Sequence, residues 1–152
     1  MRSEASKALA LKEWHADETF VRFLAENGKN FRNIYLAGGE PAVILKQKNF
    51  LHQLLQFIEP NTVDLVVNTN GTQLIADLEA LLQTFKCINI VLSVDGVGSV
   101  NEYIRYPSKW TVIEENIQEM ESLKDKYSNL KLCVTITVQI YNVFKITEIF
   151  ER

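Results

Sequence analysis

Apolar residues recur along the chain with two alternating periods, one typical of strands and one typical of helices. Each of four short runs rich in Val, Ile and Leu is followed by a segment whose apolar residues recur every three to four positions. This order is typical of βαβ units and predicts an α/β fold with a parallel sheet. The predicted strands cover residues 33–37, 63–67, 88–94 and 130–140.

Capping residues and prolines mark the predicted helices. A first helical segment over residues 3–27 is interrupted near its middle, because Asp17 suits an N-cap and Gly28 a helix end. Pro41 opens the next helix and Pro60 ends it. Further helices are predicted over 73–84, over 99–105, from a cap at Ser108 onwards, and from Val143 to the end of the chain.

The fourth predicted strand has two different faces. Its apolar face, which includes Leu132, suits a layer of helices. The opposite face becomes polar toward the end of the strand and suits the inside of an open barrel in which a ligand lies. The residues on that polar face are Cys133, Thr135, Thr137 and Gln139.

The turn residues lie where the predicted strands end, and in a parallel sheet these carboxyl ends gather ligand-binding groups. Gly38 and Gly39 leave the backbone open to a ligand, although a tight strand-to-helix turn explains them as well. Ser93 and Asp95 share one side of a strand end and suit a hydroxyl or ammonium group, whereas Asp95 equally suits a helix cap. The Arg105 side chain suits either binding to a carboxylate or exposure to solvent.

Composition and charge narrow the class of protein. The chain has 152 residues, of which 47% are hydrophobic and 23% charged, as in one ordinary globular domain. A formal net charge of -3 gives no field that favours nucleic acid or an anionic membrane. The apolar runs are too short to span a bilayer, and the N-terminus has no apolar signal core. We therefore expect a cytoplasmic protein without nucleic-acid or membrane partners.

The two cysteines, Cys87 and Cys133, each lie in an apolar, strand-like run of residues. This placement indicates thiols of a reducing compartment rather than a disulfide framework. Neither cysteine has another Cys or a His at metal-ligand spacing. The sequence therefore predicts no metal site.

Four loop motifs occur in one order with matching gaps. They are YLAGGEP at 35–41, NTNGT at 68–72, SVDG at 93–96, and Arg105 twelve residues after Ser93 with Trp110 behind it. In this order they resemble the radical S-adenosylmethionine (SAM) superfamily, and within it the enzymes with SPASM or twitch extensions. The GGEP, NTNGT and SVDG motifs are similar to the turns after the second, third and fourth strands of that core. The resemblance covers the chain from about residue 17 to its end.

The resemblance implies a partial (β/α) barrel made of about strands two to five of a six-stranded core, with helices outside and residues 1–16 as a loosely packed N-terminal helix. It implies one core domain over residues 1–152 that binds SAM together with a peptide or small-molecule substrate. Gly38, Gly39 and Glu40 would hold the amino group of SAM, chiefly through backbone atoms. Ser93 and Asp95 would lie near the methionine or ribose, Arg105 at the carboxylate, and Thr137 and Gln139 toward the adenosine. Asn70 is a further implied pocket residue.

The chain departs from the family at the iron–sulfur cluster. A [4Fe–4S] cluster of this family needs three thiolates from a CxxxCxxC loop, and the chain has no such loop. We expect the first strand and its loop to be missing, as in a shortened gene product. A complete enzyme would cleave SAM reductively to a 5′-deoxyadenosyl radical that abstracts hydrogen, and we expect this chain to be inactive alone.

Three functions remain open on the sequence. The first is an inactive piece of a radical SAM enzyme, and the second is a cluster-less SAM- or nucleotide-binding module or pseudoenzyme. The third is a flavodoxin-like nucleotide-binding domain with coincident turns. If the chain is an inactive piece of a radical SAM enzyme, both edges of the sheet would be unpaired. This hypothesis predicts a homodimer formed through the sheet edges.

Overall fold

A computed structural model of the protein describes residues 17–42 and 48–151, without the side chains of Lys48 and Asn49. The helix predicted over residues 3–16 and the loosely packed segment 1–16 lie outside the described residues. Strands and helices alternate as predicted. The elements are α1 (Glu18–Asn27), β1 (Asn33–Leu36), α2 (Lys48–Leu55), β2 (Asp64–Thr69), α3 (Leu78–Thr84), β3 (Cys87–Ser93), α4 (Ser99–Ile104), α5 (Trp110–Lys126), β4 (Leu130–Thr135) and α6 (Thr147–Phe150), with short 3-10 turns at Gly28–Asn30 and Pro60–Thr62.

The four described strands form one parallel sheet in the order β1-β2-β3-β4. Consecutive strands are therefore neighbours, and every turn at a strand's carboxyl end comes to the same end of the sheet. The predicted α/β fold with a parallel sheet is confirmed. None of the described helices is long and apolar enough to cross a membrane.

One face of the sheet carries the apolar core. Leu65 and Val67 of β2 and Ile88 and Ile90 of β3 are fully buried there, and the residues between them are only half-buried. The alternation arises because successive strand residues point to opposite faces. The second face is more open, and Tyr35 on β1 is 61% exposed there. The core thus lies against one face of the sheet.

The start of α1 agrees with the predicted cap, whereas its end does not. Asp17 accepts a hydrogen bond from the amide of Thr19 at 2.9 Å. Gly28 follows the helix, but its φ of -55° is ordinary right-handed backbone rather than the left-handed geometry of a C-terminal glycine. Space is what requires a glycine here, because a Cβ at Gly28 would lie 2.4 Å from the carbonyl oxygen of Phe57.

The strand predicted over 130–140 is too long. β4 ends at Thr135, and the amides of Thr137 and Gln139 bond to side chains instead of to β3. The helix predicted from Val143 is also wrong, because turns occupy 140–146 and the helix begins only at Thr147. Side chains distant in sequence capture these backbone groups, so the local pattern does not reveal them.

The starts of two other helices were placed incorrectly. The helix predicted over 73–84 begins at Leu78, after a turn that includes Asp77 in the left-handed conformation (φ 55°). Ser108 does not cap α5, and its hydroxyl has no hydrogen-bond partner within the described residues. Glu102 of the preceding helix accepts a hydrogen bond from the amide of Trp110 at 2.9 Å and takes the role of the cap.

Candidate functional site

Glu40 joins the glycine loop after β1 to the turn after β2. Its Oε1 accepts hydrogen bonds from the Thr69 hydroxyl at 2.6 Å and from the amide of Ala42 at 3.1 Å. Its Oε2 accepts a hydrogen bond from the amide of Asn70 at 2.9 Å. Hydrogen bonds to a carboxylate are among the stronger ones in proteins. The Glu40 side chain therefore fixes two of the predicted loops relative to each other.

Gly38 and Gly39 form the exposed part of the same loop. Their φ angles are 92° and 59°, in the left-handed region that favours glycine. A Cβ added to either residue would meet nothing within 4 Å, so the backbone there borders open space. Amides and carbonyls of this loop are thus accessible to a ligand.

The turn after β2 is closed by its own side chains. The Oδ1 atom of Asn70 accepts hydrogen bonds from the amide (2.9 Å) and the hydroxyl (2.6 Å) of Thr72. The amide of Gly71 donates to the Thr69 hydroxyl at 3.2 Å, and the carbonyl of Gly71 accepts from Asn116 on α5 at 2.8 Å. Asn70 therefore shapes the turn, and its side-chain oxygen is already bonded within the protein.

Ser93 ends β3 on the open face of the sheet. Its hydroxyl donates a hydrogen bond to the Oδ1 atom of Asn68 on β2 at 2.9 Å, and both side chains are half-buried. A hydroxyl that donates one hydrogen bond still has lone pairs that accept others. Ser93 therefore links two strand ends and retains the capacity to bind a donor group of a ligand.

Asp95 is the buried centre of the site, with only 4% of its surface exposed. Its Oδ1 accepts a hydrogen bond from the amide of Thr137 at 2.8 Å. Its own amide donates to the Oδ1 atom of Asn101 on α4 at 3.0 Å, and its carbonyl accepts from Asn142 at 2.9 Å. Asp95 does not cap α4, whose N-cap is Gly98. It instead joins β3, α4 and the segment that follows β4.

Arg105 pairs with the carboxylate of Asp95 rather than standing free. Its Nε lies 2.8 Å from Oδ2 of Asp95, and the two side chains are 26% and 6% exposed. The Nε–H is not aligned for a hydrogen bond, so the contact is a charge pair without the parallel fork of an arginine–carboxylate bridge. Within the described residues the two terminal guanidinium nitrogens donate no hydrogen bond, so they retain donors for a second anion.

Asn142 holds the segment after β4 in place and is 1% exposed. Its Nδ2 donates to the carbonyls of Thr137 and Asp95, both at 2.9 Å, and its Oδ1 accepts from the amide of Gln139 at 2.8 Å. The bonds of Thr137 and Gln139 thus use backbone atoms. Neither of their side chains forms a hydrogen bond within the described residues, so both can contact a ligand.

A groove of about 410 Å³ lies beside these loops. Asn70 and Arg105 line it together with Lys109 and the ring of Tyr106, which is 86% exposed. The buried hydroxyl of Ser108 lies in the same wall without a hydrogen-bond partner in the described part of the chain. Arg105 and Lys109, which pair with Asp95 and Glu102, together with the ring of Tyr106 suit a ligand with a carboxylate or phosphate next to an apolar portion.

A second cavity of about 490 Å³ lies between α3 and α5, away from these loops. Its wall includes Asp77, Glu79 and Glu119, and none of the predicted pocket residues. Because the smaller groove is lined by two of the predicted pocket residues, Asn70 and Arg105, it is the better candidate site.

The structure brings the predicted site residues to one end of the sheet but divides them among separate contacts. Glu40 contacts Asn70, Asp95 contacts both Arg105 and the amide of Thr137, and Ser93 contacts Asn68. Gly38 and Gly39 form the exposed rim, and Gln139 is held through its backbone amide. Several predicted ligand-binding side chains thus bind one another and position the loops.

Four further polar residues, which were not among the predicted pocket residues, complete this network. Three of them lie inside or next to a predicted turn, where a side chain can bond to the backbone of another loop. Asn101 is the exception, because it lies within a helix and its burial depends on the arrangement of the whole fold. The four residues are Asn68, Thr69, Asn101 and Asn142.

The two thiols do not fit an iron–sulfur cluster. Cys87 is half-buried at the start of β3, and Cys133 is exposed on β4 opposite Val91. That offset places them on the order of 13 Å apart along the strands, and the sequence contains no third cysteine. Among the described residues no group of three or more His, Cys, Asp and Glu could hold a metal ion.

No protein-family model matches the chain, and a search of the curated proteins finds no match.

Proposed function

We propose that the chain is part of a radical SAM core and binds the methionine end of SAM at the carboxyl ends of its strands. The observation that carries this proposal is the carboxylate of Glu40, which ties the GGEP loop to the NTNGT turn through Thr69 and Asn70. Their direct contact supports one common ligand site.

The charges of SAM match the groups that remain open in this site. An ammonium needs acceptors, and exposed carbonyls around Gly38 and Gly39 supply them. A carboxylate needs donors, and Arg105 and Lys109 both line the groove. Asp95 holds Arg105 by its Nε and so orients the guanidinium toward the groove. Arg105 therefore serves both the fold and the ligand in this proposal.

Glu40 acts as a positioning residue in this proposal rather than as a ligand-binding carboxylate. Both of its oxygens accept hydrogen bonds from the loops. Asp95 has the same kind of role on the other side of the site, where it bonds to the amide of Thr137. SAM would thus contact mainly backbone groups that these two carboxylates hold in position.

The strand order favours a radical SAM core over a flavodoxin-like domain. A flavodoxin-like sheet has the order 2-1-3-4-5, with a reversal at its ligand site and helices on both faces. Here consecutive strands are neighbours, and the core lies against one face. An open barrel whose ligand lies at the strand ends agrees better with both features.

The chain cannot supply the three thiolates of a [4Fe–4S] cluster, because it contains two cysteines in all. We therefore propose binding without reductive cleavage for this chain alone. SAM affinity should be weak, with a Kd on the order of 1 mM, because only amino-acid and adenosine contacts remain.

Calorimetric titration of the purified chain with SAM tests the proposal. The glutamine substitution Glu40→Gln removes the carboxylate that joins the two loops and should weaken SAM binding about tenfold, the loss of one charge-assisted hydrogen bond. The matched control is Glu59→Gln, whose side chain is exposed and away from the site. Equal affinity in both variants, or tighter binding of free adenosine than of SAM, would count against a methionine-end site.

Reconstitution with iron and sulfide under reducing, oxygen-free conditions tests the second part of the proposal. The chain should remain colourless and give no 5′-deoxyadenosine from SAM. A brown protein with a cluster absorbance band, or any yield of 5′-deoxyadenosine, would contradict it.

A further inference from the structure

Strand β4 is an edge strand with open backbone groups. In the described residues it pairs with β3 alone. Amides on the β3 side donate to the carbonyls of Asn129 and Thr135 at 2.9 and 3.1 Å. Alternate residues of a parallel strand direct their backbone groups to opposite sides. The odd-numbered residues of β4 therefore face β3, and the even-numbered residues direct their backbone groups away from the sheet. These outward residues are Leu130, Leu132 and Val134.

From Leu132 onwards the side chains along and after this edge are uncharged, and several large apolar ones are exposed. No charged residue occurs from Leu132 to Phe144. Ile140 is 82% exposed and Phe144 92%, while Val134 and Val138 are about half exposed or more. Large apolar side chains grouped in this way mark an interaction surface, and an open uncharged edge readily pairs with another strand.

We propose that this edge binds a second copy of the chain, so that two β4 strands pair antiparallel about a two-fold axis at Cys133. A two-fold interface is self-complementary, so each residue must tolerate its counterpart. Like charges directly opposite each other across strands are destabilising. Lys131 is the only charged residue of β4, and this register places it opposite the partner's Thr135. The edge is therefore electrostatically compatible with its own copy.

The exposed rings next to β4 provide much of the area that a stable dimer needs. Tyr141 and Phe144 follow the strand and are 58% and 92% exposed. A buried aromatic side chain removes about 150–250 Å² from water, so the exposed parts of these rings from both copies contribute on the order of 450–750 Å². Specific interfaces bury about 1,000 Å² or more, and the paired strands supply the remainder. This inference does not depend on the proposed function.

Thiol cross-linking gives the first test, because the two-fold axis brings the exposed Cys133 opposite its counterpart. Opposed residues in a non-hydrogen-bonded antiparallel pair have Cα atoms about 4.5 Å apart, within the range that a disulfide spans. A short bifunctional thiol reagent should link the wild-type chain and Cys87→Ser into dimers. It should not link Cys133→Ser. Dimers that form through Cys87, or no cross-linking in any of the three proteins, would overturn the proposal.

Sedimentation of two variants at one position gives the second test. The amide of Val134 points outward, so Val134→Pro leaves the bonds to β3 intact and blocks pairing at the edge. Val134→Thr has a similar shape and keeps the amide. We expect a dimer for the wild type and for Val134→Thr and a monomer for Val134→Pro. A monomeric wild type, or a dimer that Val134→Pro leaves unchanged, would overturn the proposal. If circular dichroism shows that Val134→Pro is unfolded, the cross-linking experiment decides.

Discussion

At the scale of single residues, Asp95 is the more deeply buried of the two carboxylates that hold the loops of the site. One of its carboxylate oxygens accepts a hydrogen bond from the amide of Thr137, and the other forms an ion pair with the guanidinium of Arg105. Almost the whole side chain is buried. In Asp95→Asn the amide cannot balance the charge of Arg105. We expect a loss of about 1–3 kcal/mol in the free energy of unfolding, measured by urea denaturation.

The control for Asp95→Asn is Glu79→Gln. Glu79 bonds to Lys126 and to the Tyr127 hydroxyl on the surface, where solvent screens the pair. The urea midpoint of Glu79→Gln at neutral pH should stay close to that of the wild type. Equal losses in both variants would show that Asp95 contributes no more than a surface carboxylate.

Glu79 also gives a prediction for pH. The hydrogen bond from Lys126, followed by that from Tyr127, holds the pKa of Glu79 below its ordinary value of 4.5. A carboxyl whose folded pKa is lowered stabilises the protein above the unfolded pKa, and this contribution is lost as pH falls through the folded pKa. The small difference between wild type and Glu79→Gln should therefore be present at neutral pH and vanish below pH 4.5. Urea midpoints over that range measure it, and a difference that grows in acid would contradict the assignment.

At the scale of elements, Asn142 determines where β4 ends. Its side chain bonds to backbone groups of Asp95, Thr137 and Gln139. Asn142→Ala should cost about 1–3 kcal/mol for each buried group left without a partner. Gln139→Ala is the control, because Gln139 is held by its backbone and should change stability by less than about 0.5 kcal/mol. Denaturation curves that move by the same amount in both variants would contradict the role of Asn142.

The contact between the end of α1 and the end of α2 depends on Gly28. A methyl group there would lie 2.4 Å from the Phe57 carbonyl oxygen, although the φ of Gly28 suits any residue. Gly28→Ala should therefore lower the free energy of unfolding by about 1–3 kcal/mol through overpacking. Lys29→Ala, in the same turn but exposed, should stay within about 0.5 kcal/mol of the wild type. Thermal melts of the two variants that coincide would show that the two helix ends are not tightly packed.

The bounds of a helix or strand can be predicted from the sequence where the residues of that element alone determine them. Asp17 and the alternating runs of β2 and β3 are such cases, and their bounds were predicted to within two residues. β4 is not, because its alternation continues to Ile140 while Asp95 and Asn142 capture the amides that would extend the strand. The sequence contains the residues that end the strand but not the distances between them.

At the scale of the whole molecule, the sequence predicted which loops meet better than it predicted what their side chains do. The order of the strands follows from short right-handed connections, and this order alone brings the loops to one end. Glu40 and Asp95 were predicted as ligand contacts, and the structure shows them bonded to neighbouring loops. A side chain's partner depends on spacings of a few tenths of an ångström, which motif order does not specify.

The most direct test of a SAM site at the strand ends is a nuclear magnetic resonance titration of the ¹⁵N-labelled chain with SAM. We predict saturable shifts of the amides of Gly38, Gly39, Asn70 and Thr137, which border the site, while amides near the acidic cavity, such as that of Glu79, stay in place. Methionine should shift the first three of these amides and leave Thr137 largely unaffected, because the resemblance places adenosine beside it. Shifts confined to the α3–α5 cavity, or none up to about ten times the expected Kd near 1 mM, would contradict the proposed site.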